Sequence, residues 1–370
     1  MDGLTRGRRE DGTLDLLTRR RFMTRSAGAL AAVSGASGLL AACGGDDDGG
    51  SEEAGSATDS SGGSKGSSSV QVINILPPQL GYTAEYIADM DGYWKKEGLD
   101  VKVNTARGSA PAIQAVLSGT ALLSWVGWLE SVLAIANEGA PIQAVAFTGR
   151  RSPLAIVSDK AKPINTPQDL VDKRIGIPSK GGTSETTVDL MLSANNIPPD
   201  KVARQVTGFT PGTFELIKRG RIAGFVIGAS QEEQFRQAQP SATFMETEKY
   251  VTDGLTYITS QKGLQSNKET IQAYLRALKG AMEQVLNDKE TNFATTIKKL
   301  RSKYDFEELK DDKVAQYYIN FISSGWVIDG EDKLLKVDPA QWKKTYDAAV
   351  KVKAAKPGVD VTKNLVPGLI

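Results

Sequence analysis

Between residues 70 and 260 one pattern recurs: a short apolar run, a turn, then a segment whose apolar side chains return at helical spacing. QVINIL (71–76), LDVKV (99–103), LLSWV (122–126), IQAVAFT (142–148) and LAIVS (154–158) read as strands. Helices are expected over 81–98, from Ser109 to a stop at Gly119, and over 129–139. A second set has strands at 174–178, 201–206 and 223–228, with helices at 184–195, 212–220 and 230–238. A strand at 254–260 leads into a tail expected to be helical over 267–287, 291–303, 311–323 and 338–355. Alternation with short connections implies an α/β chain whose mostly parallel sheets are covered by helices. Because the tail has no sheet of its own, it is expected to return to the first set. This gives a first lobe of 70–158 plus 256–370 and a second lobe of 159–255. Loops at the carboxyl ends of both sets of strands then face one cleft.

Residues 44–69 hold almost nothing that could be buried in either lobe. Thr18-Arg19-Arg20-Arg21-Phe22-Met23 resembles the twin-arginine export signature, and Leu40-Ala41-Ala42-Cys43 resembles the bacterial lipobox. The apolar stretch Ser26–Ala42 between them is short of the ~20 residues a bilayer-spanning helix needs. The expectation is a signal peptide over 1–42, acylation of Cys43, and anchoring to the cell membrane on its extracytoplasmic side. An ordinary signal peptide with a chance cysteine is the plainer alternative. Residues 43–69, rich in Gly, Ser and Asp, read as a disordered tether.

Cys43 is the only cysteine and the chain has no histidine. With that thiol acylated, disulfides and thiolate chemistry are excluded, and the commonest general base and metal ligand is missing. Neither a cofactor nor a metal is assigned. Lys and Arg total 45 against 44 Asp and Glu, without the clustered basic excess that nucleic acid requires.

Five segments in order, YTAEYIADMDGYWKKEGLDVKV, AIQAVLSG, ANEGAPIQAVA, INTPQDLVDKRIGIPSKGGT and LIKRGRIAGFVIG, resemble the solute-binding proteins of nitrate/taurine/alkanesulfonate ABC importers. That family includes receptors for thiamine-pyrimidine precursors, and the resemblance covers about 73–287. It implies a two-lobed type II periplasmic binding protein fold, with the helical tail on lobe one. It also implies a monomer that closes on a small solute, presents it to a membrane permease and turns nothing over. Two departures, Gly119-Thr120-Ala121-Leu122 and Gly220-Arg221-Ile222-Ala223-Gly224, lack acids the family usually carries there. A pyrimidine-synthase-like enzyme and a ligand sensor for a membrane receptor are the alternatives. The synthases, as the resemblance implies, use a histidine and a cysteine-rich segment that this chain lacks.

Candidate contacts cluster in four loops. In PSKGGTSET (178–186), Gly181 and Gly182 allow close backbone approach, while Thr183 and Ser184 offer donors at a helix start suited to an anion or carbonyl. In TARGSAP (105–111), Arg107 can clamp an anion or lie on the surface, and Ser109 opens a helix. In WVGWLES (125–131), Trp125 and Trp128 can stack on a solute or pack in the core, and Glu130 argues against a simple inorganic anion. Gln79 and Tyr82 stand at the rim after Pro77-Pro78. Arg150 and Arg151 are expected as linker charge, Lys180 as a solvated lysine, and Trp326 and Trp342 as packing for the tail. The set favours a small organic solute with a planar or apolar part: a sulfonate, an aromatic carboxylate or a pyrimidine-like compound.

Overall fold

The computed structural model describes residues 68–178, 180 and 183–370. The expected export signal, Cys43, the tether up to residue 67, and Gly181 and Gly182 lie outside the described residues. The first set folds as β1 (Ser68–Asn74), α1 (Thr83–Met90), α2 (Tyr93–Lys96), β2 (Leu99–Thr105), α3 (Ser109–Leu117), β3 (Leu123–Gly127), α4 (Trp128–Glu138) and β4 (Ile142–Gly149). The second folds as β5 (Leu154–Asp159), β6 (Arg174–Ile177), α5 (Thr183–Ala194), β7 (Ala203–Val206), α6 (Glu215–Lys218), β8 (Gly224–Gly228), α7 (Glu232–Ala238) and β9 (Ala242–Glu246). β10 (Leu255–Ser260), α8 (Gln261–Asn287), α9 (Ala294–Arg301), α10 (Asp312–Trp326) and α11 (Pro339–Lys351) complete the chain.

Three local differences from the sequence reading have simple causes. The helix expected over 81–98 breaks into α1 and α2 because Gly92 takes a left-handed φ of 71°. β1 starts at Ser68 rather than at 71, since Ser68 and Ser69 already pair with Leu99 and Asp100. β9 escaped the sequence reading; it is an edge strand, paired only with β5 and half-buried, so its periodicity is faint.

The strands form two five-stranded sheets, ordered β2-β1-β3-β10-β4 and β7-β6-β8-β5-β9. Each keeps a parallel trio, β2-β1-β3 and β7-β6-β8. In each, the strand that follows a crossover runs antiparallel to both neighbours: β10 between β3 and β4, and β5 between β8 and β9. The segment 154–158, expected with the first set, is therefore corrected to the second sheet, where it pairs with β8 and β9. The chain crosses between the sheets at 150–153 and at 247–254.

Helices α1, α2 and α8 share one core with β1 and β3, through Ile87, Trp94, Tyr274 and Leu278 against Val70, Val72 and Leu123. A second core joins α3, α4 and α11 to β4, through Val116, Val132, Trp128 and Trp342. The tail does return to the first sheet, but α10 also touches α7, and α11 touches α5. It thus packs against the helical layers of both sheets rather than of one.

Trp128 is fully buried, its ring 4.3 Å from Phe147 and 6.4 Å from Trp342, so of its two expected settings the core is the real one. Trp128→Ala should cost about 3–5 kcal/mol, the usual range for emptying a large aromatic site in a core. Urea unfolding checks this; a loss below about 0.5 kcal/mol, typical of surface changes, would contradict the packing.

Candidate functional site

A cavity of about 530 Å³ opens between the two sheets and is lined from both. From the first sheet's side come the 75–82 loop, Ser109, Trp125, Glu130, Thr148 and Tyr257; from the second come Leu154, Thr183, Ser184, Phe209, Ile227 and Gln231. Seven expected residues meet there: Gln79, Tyr82, Ser109, Trp125, Glu130, Thr183 and Ser184. Trp128 does not, because its ring points into the core below β4. Arg107 does not line the cavity either; it is exposed beyond the end of β2, one turn short of the α3 start that carries Ser109 inward.

The aromatic wall is held rigidly. Trp125 lies edge-on to Tyr82 with ring centroids 5.0 Å apart, and its indole N–H donates to Thr148 Oγ1 at 2.8 Å. The Tyr82 hydroxyl accepts from Leu76 N–H at 3.0 Å, tying the rim loop to α1. The Tyr318 hydroxyl donates to Gln79 Oε1 at 2.6 Å, which brings α10 onto the same rim. Trp326, expected only to pack the tail, lines the cavity with Phe321 and Tyr318.

The polar end is acidic. Asp253, 2 % exposed, accepts at Oδ1 from Gly254 N–H at 2.8 Å and from Leu129 N–H at 3.3 Å. Trp128 N–H donates to the Gly254 carbonyl at 2.9 Å, and Glu130 accepts from its own N–H. The first-turn amides of α4, where an anion would dock, are thereby taken by the protein itself. Thr183 donates its hydroxyl to Glu130, bringing the start of α5 against the start of α4. The Glu130 carboxylate lies directly against Gly127, where a Cβ would meet Oε2 and push the carboxylate aside.

Burial pushes the Glu130 carboxyl up, against the lowering effect of Thr183. Asp253 is pushed up to about 8, first by burial and then by the nearby Glu130 charge. Glu85, on the buried face of α1, is also raised by burial, although Tyr257, Asn74 and Tyr274 all donate to it. The one basic side chain among the described lining residues, Arg151, is held by Glu248 at 2.6 and 2.7 Å. Arg150 is no solvated linker charge: it is 8 % exposed and donates to the Lys333 carbonyl at 2.8 Å.

Asp253, Glu85 and the α10 aromatics were missed from sequence. Glu85 left a signal, an acid on the apolar stripe of Ala84, Ile87 and Ala88. Asp253 left none, because its burial depends on α4, which lies more than a hundred residues earlier in the chain.

A family model described as NMT1/THI5 like matches residues 79–292. The chain belongs to the NMT1/THI5-like family. This member is 25% identical over 229 residues to a protein of Bacillus subtilis (strain 168) named as a binding protein, YtlA, covering 59% of this chain and 66% of that one. It is 28% identical over 136 residues to the riboflavin-binding protein RibY of Chloroflexus aurantiacus, covering 36% of this chain and 38% of that one. It thus spans just under two thirds and well under half of these relatives' lengths. The alkanesulfonate-binding protein SsuA of Xanthomonas axonopodis superposes with a TM-score of 0.63 at 13% identity, over 82% of this chain and 99% of that one. The fold of this NMT1/THI5-like chain is the periplasmic binding protein fold.

A carboxyl group held neutral in the folded state favours folding at low pH, and the advantage is lost as pH climbs through its raised pKa. Wild type should therefore lose ground to Asp253→Asn as pH rises from about 5 to about 8, and no further above that. Thermal melts of both proteins across this range check the sign; parallel curves would place the Asp253 carboxylate in water.

Proposed function

We propose that this chain is a lipid-anchored extracytoplasmic solute-binding protein that closes two lobes, one on each sheet, over a small organic solute and delivers it to an ABC importer's permease. The observation that carries the reading is an aromatic-walled cavity lined from both sheets. Its volume of about 530 Å³ suits a drug-sized molecule and is far more than nitrate needs. The hinge falls at the two crossovers, where Ser152 and Thr247 hydroxyls lie 2.7 Å apart and Arg151 grips Glu248. Hinge closure about such paired segments is the usual motion of two-lobed receptors. The likeness to a riboflavin-binding protein supports a planar heterocycle over an aliphatic sulfonate. So does the distribution of charge, since the α4 amides and Arg151 are already spent on partners within the protein.

The anchor rests on Cys43 and the residues around it, which lie outside the described residues. Among the described residues no helix is long and apolar enough to cross a membrane. The tether would let the receptor move between capture and docking while keeping its local concentration high.

Titration against a panel of pyrimidines, aromatic carboxylates and sulfonates should give one saturable site per chain, without turnover. Trp125→Ala should weaken the best ligand by about 2- to 30-fold, the span expected of one stacking indole. A folded protein with no saturable ligand in the panel contradicts the reading. Cys43→Ala should move the protein from the membrane fraction to the soluble fraction; unchanged fractionation contradicts lipid anchoring.

A further inference from the structure

Four carboxylates line the cavity, Glu85, Glu130, Asp253 and Glu308, and the one guanidinium among the described lining residues is bound by Glu248. These acids are not equivalent. Glu85 is served by three protein donors, with Asn74 Nδ2 at 2.6 Å and the Tyr274 hydroxyl at 3.3 Å besides Tyr257. Glu130 and Asp253 are under-served. Glu130 Oε2 is buried with no hydrogen-bond partner, and both hydrogen bonds described for Asp253 fall on Oδ1. An acceptor buried without a donor costs roughly 1–3 kcal/mol, so nearly every native instance has a partner or a use. Glu130 and Asp253 both line the cavity, as do Trp125 and Tyr82.

Each class of solute meets this end differently. An anion would face two acids and find the α4 amides occupied. A neutral acceptor would leave both oxygens as they are. A cation with several N–H donors would satisfy both carboxylates and place its flat part against the indole, where cation–π attraction adds to stacking.

Building on the binding-protein reading, we propose that the solute is an organic cation, an aromatic or heteroaromatic amine or amidine, whose protonated nitrogen sits between Glu130 and Asp253 with its ring against Trp125. Glu130 and Asp253 are the specificity-determining residues, and Thr183, bonded to Glu130, couples cation capture to closure of α5 onto α4.

Proton exchange follows from this placement. Without a cation both carboxyls are pushed up, first by burial and, for Asp253, then by the Glu130 charge, which favours a proton held on the pair. The other charged groups facing the cavity are already settled: Glu85 by its three donors and Arg151 by Glu248. Glu308, in the turn before α10, is the remaining acid on the wall. A bound cation therefore displaces a proton from the Glu130–Asp253 pair.

Three planar probes of one shape and different charge test the proposal on the full chain: benzamidine, benzamide and benzoate. Isothermal titration should show benzamidine binding at least about tenfold more tightly than benzamide, with benzoate not saturating. At pH 7 the benzamidine heat should vary with the buffer's ionisation enthalpy in the sense of proton release. In Glu130→Gln the preference for benzamidine over benzamide should fall below about threefold. Because wild type alone gives the charge ranking, the proposal stays testable if that variant fails to fold. Benzoate or benzamide binding as well as benzamidine, competitively and with loss in Trp125→Ala, overturns the cation assignment and leaves the receptor standing. If none of the three binds, the broader panel decides. A cationic ligand there upholds the proposal, an anionic or neutral one overturns it, and no ligand at all removes the receptor reading as well.

Discussion

The hydrogen-bond ladder of β10 sets the terms for the rest of the molecule. This strand lies between β3 and β4, antiparallel to both, so the first sheet cannot be completed until the chain has built the second and returned. The two crossovers must then run side by side, and they are stitched by Ser152 to Thr247 and by Arg151 to Glu248. Such pairing between distant segments is slow to form, because loop closure precedes its reward. Its result is a pair of sheets joined by two neighbouring crossovers and bridged by α10 and α11. The residues beside the crossovers, Thr148, Gly149, Asp253 and Leu255, are therefore also residues of the cavity. Crossovers and cavity wall are made from the same few positions.

That shared position explains the electrostatics. Asp253 reaches the start of α4 because β10 returns beside β3, and it fills with an internal carboxylate the place where a helix dipole would favour an anionic ligand. Glu130 then stands next to a second acid in a dry setting, and its side-chain donor Thr183 comes from the opposite side of the cavity. The charge of the cavity wall is thus set by how the strands are ordered as much as by which side chains line it. Within one fold, a receptor with free amides at this helix start and one with them occupied would select solutes of opposite charge.

Much of the architecture was legible in the sequence, for a local reason. Strand and helix periodicity is written within a few residues, so most elements, the two successive sets and the returning tail could be read directly. Cavity-lining positions at strand ends and helix starts were legible to the same degree: Trp125, Glu130, Thr183 and Ser184 follow from where those elements begin and stop. Arg107 misled because it lies in the bend between β2 and α3 and faces water, whereas Ser109, two residues on at the helix start, faces the cavity. Trp128 misled because it opens a helix, a position equally suited to the cleft and to the core, and only the presence of Phe147 and Trp342 below it decides between them.

The sequence by itself determined the α/β alternation, the shortage of thiol and imidazole chemistry, and an export-and-anchor pattern in the first 43 residues. Tertiary structure alone decided that 154–158 joins the second sheet, that α10 contributes Tyr318, Phe321 and Trp326 to the cavity, and that Asp253 faces Glu130. The division has one physical cause. Backbone periodicity depends on neighbours in the chain, whereas burial, and with it the protonation of an acid, depends on neighbours in space that the chain reaches only after crossing twice between its sheets.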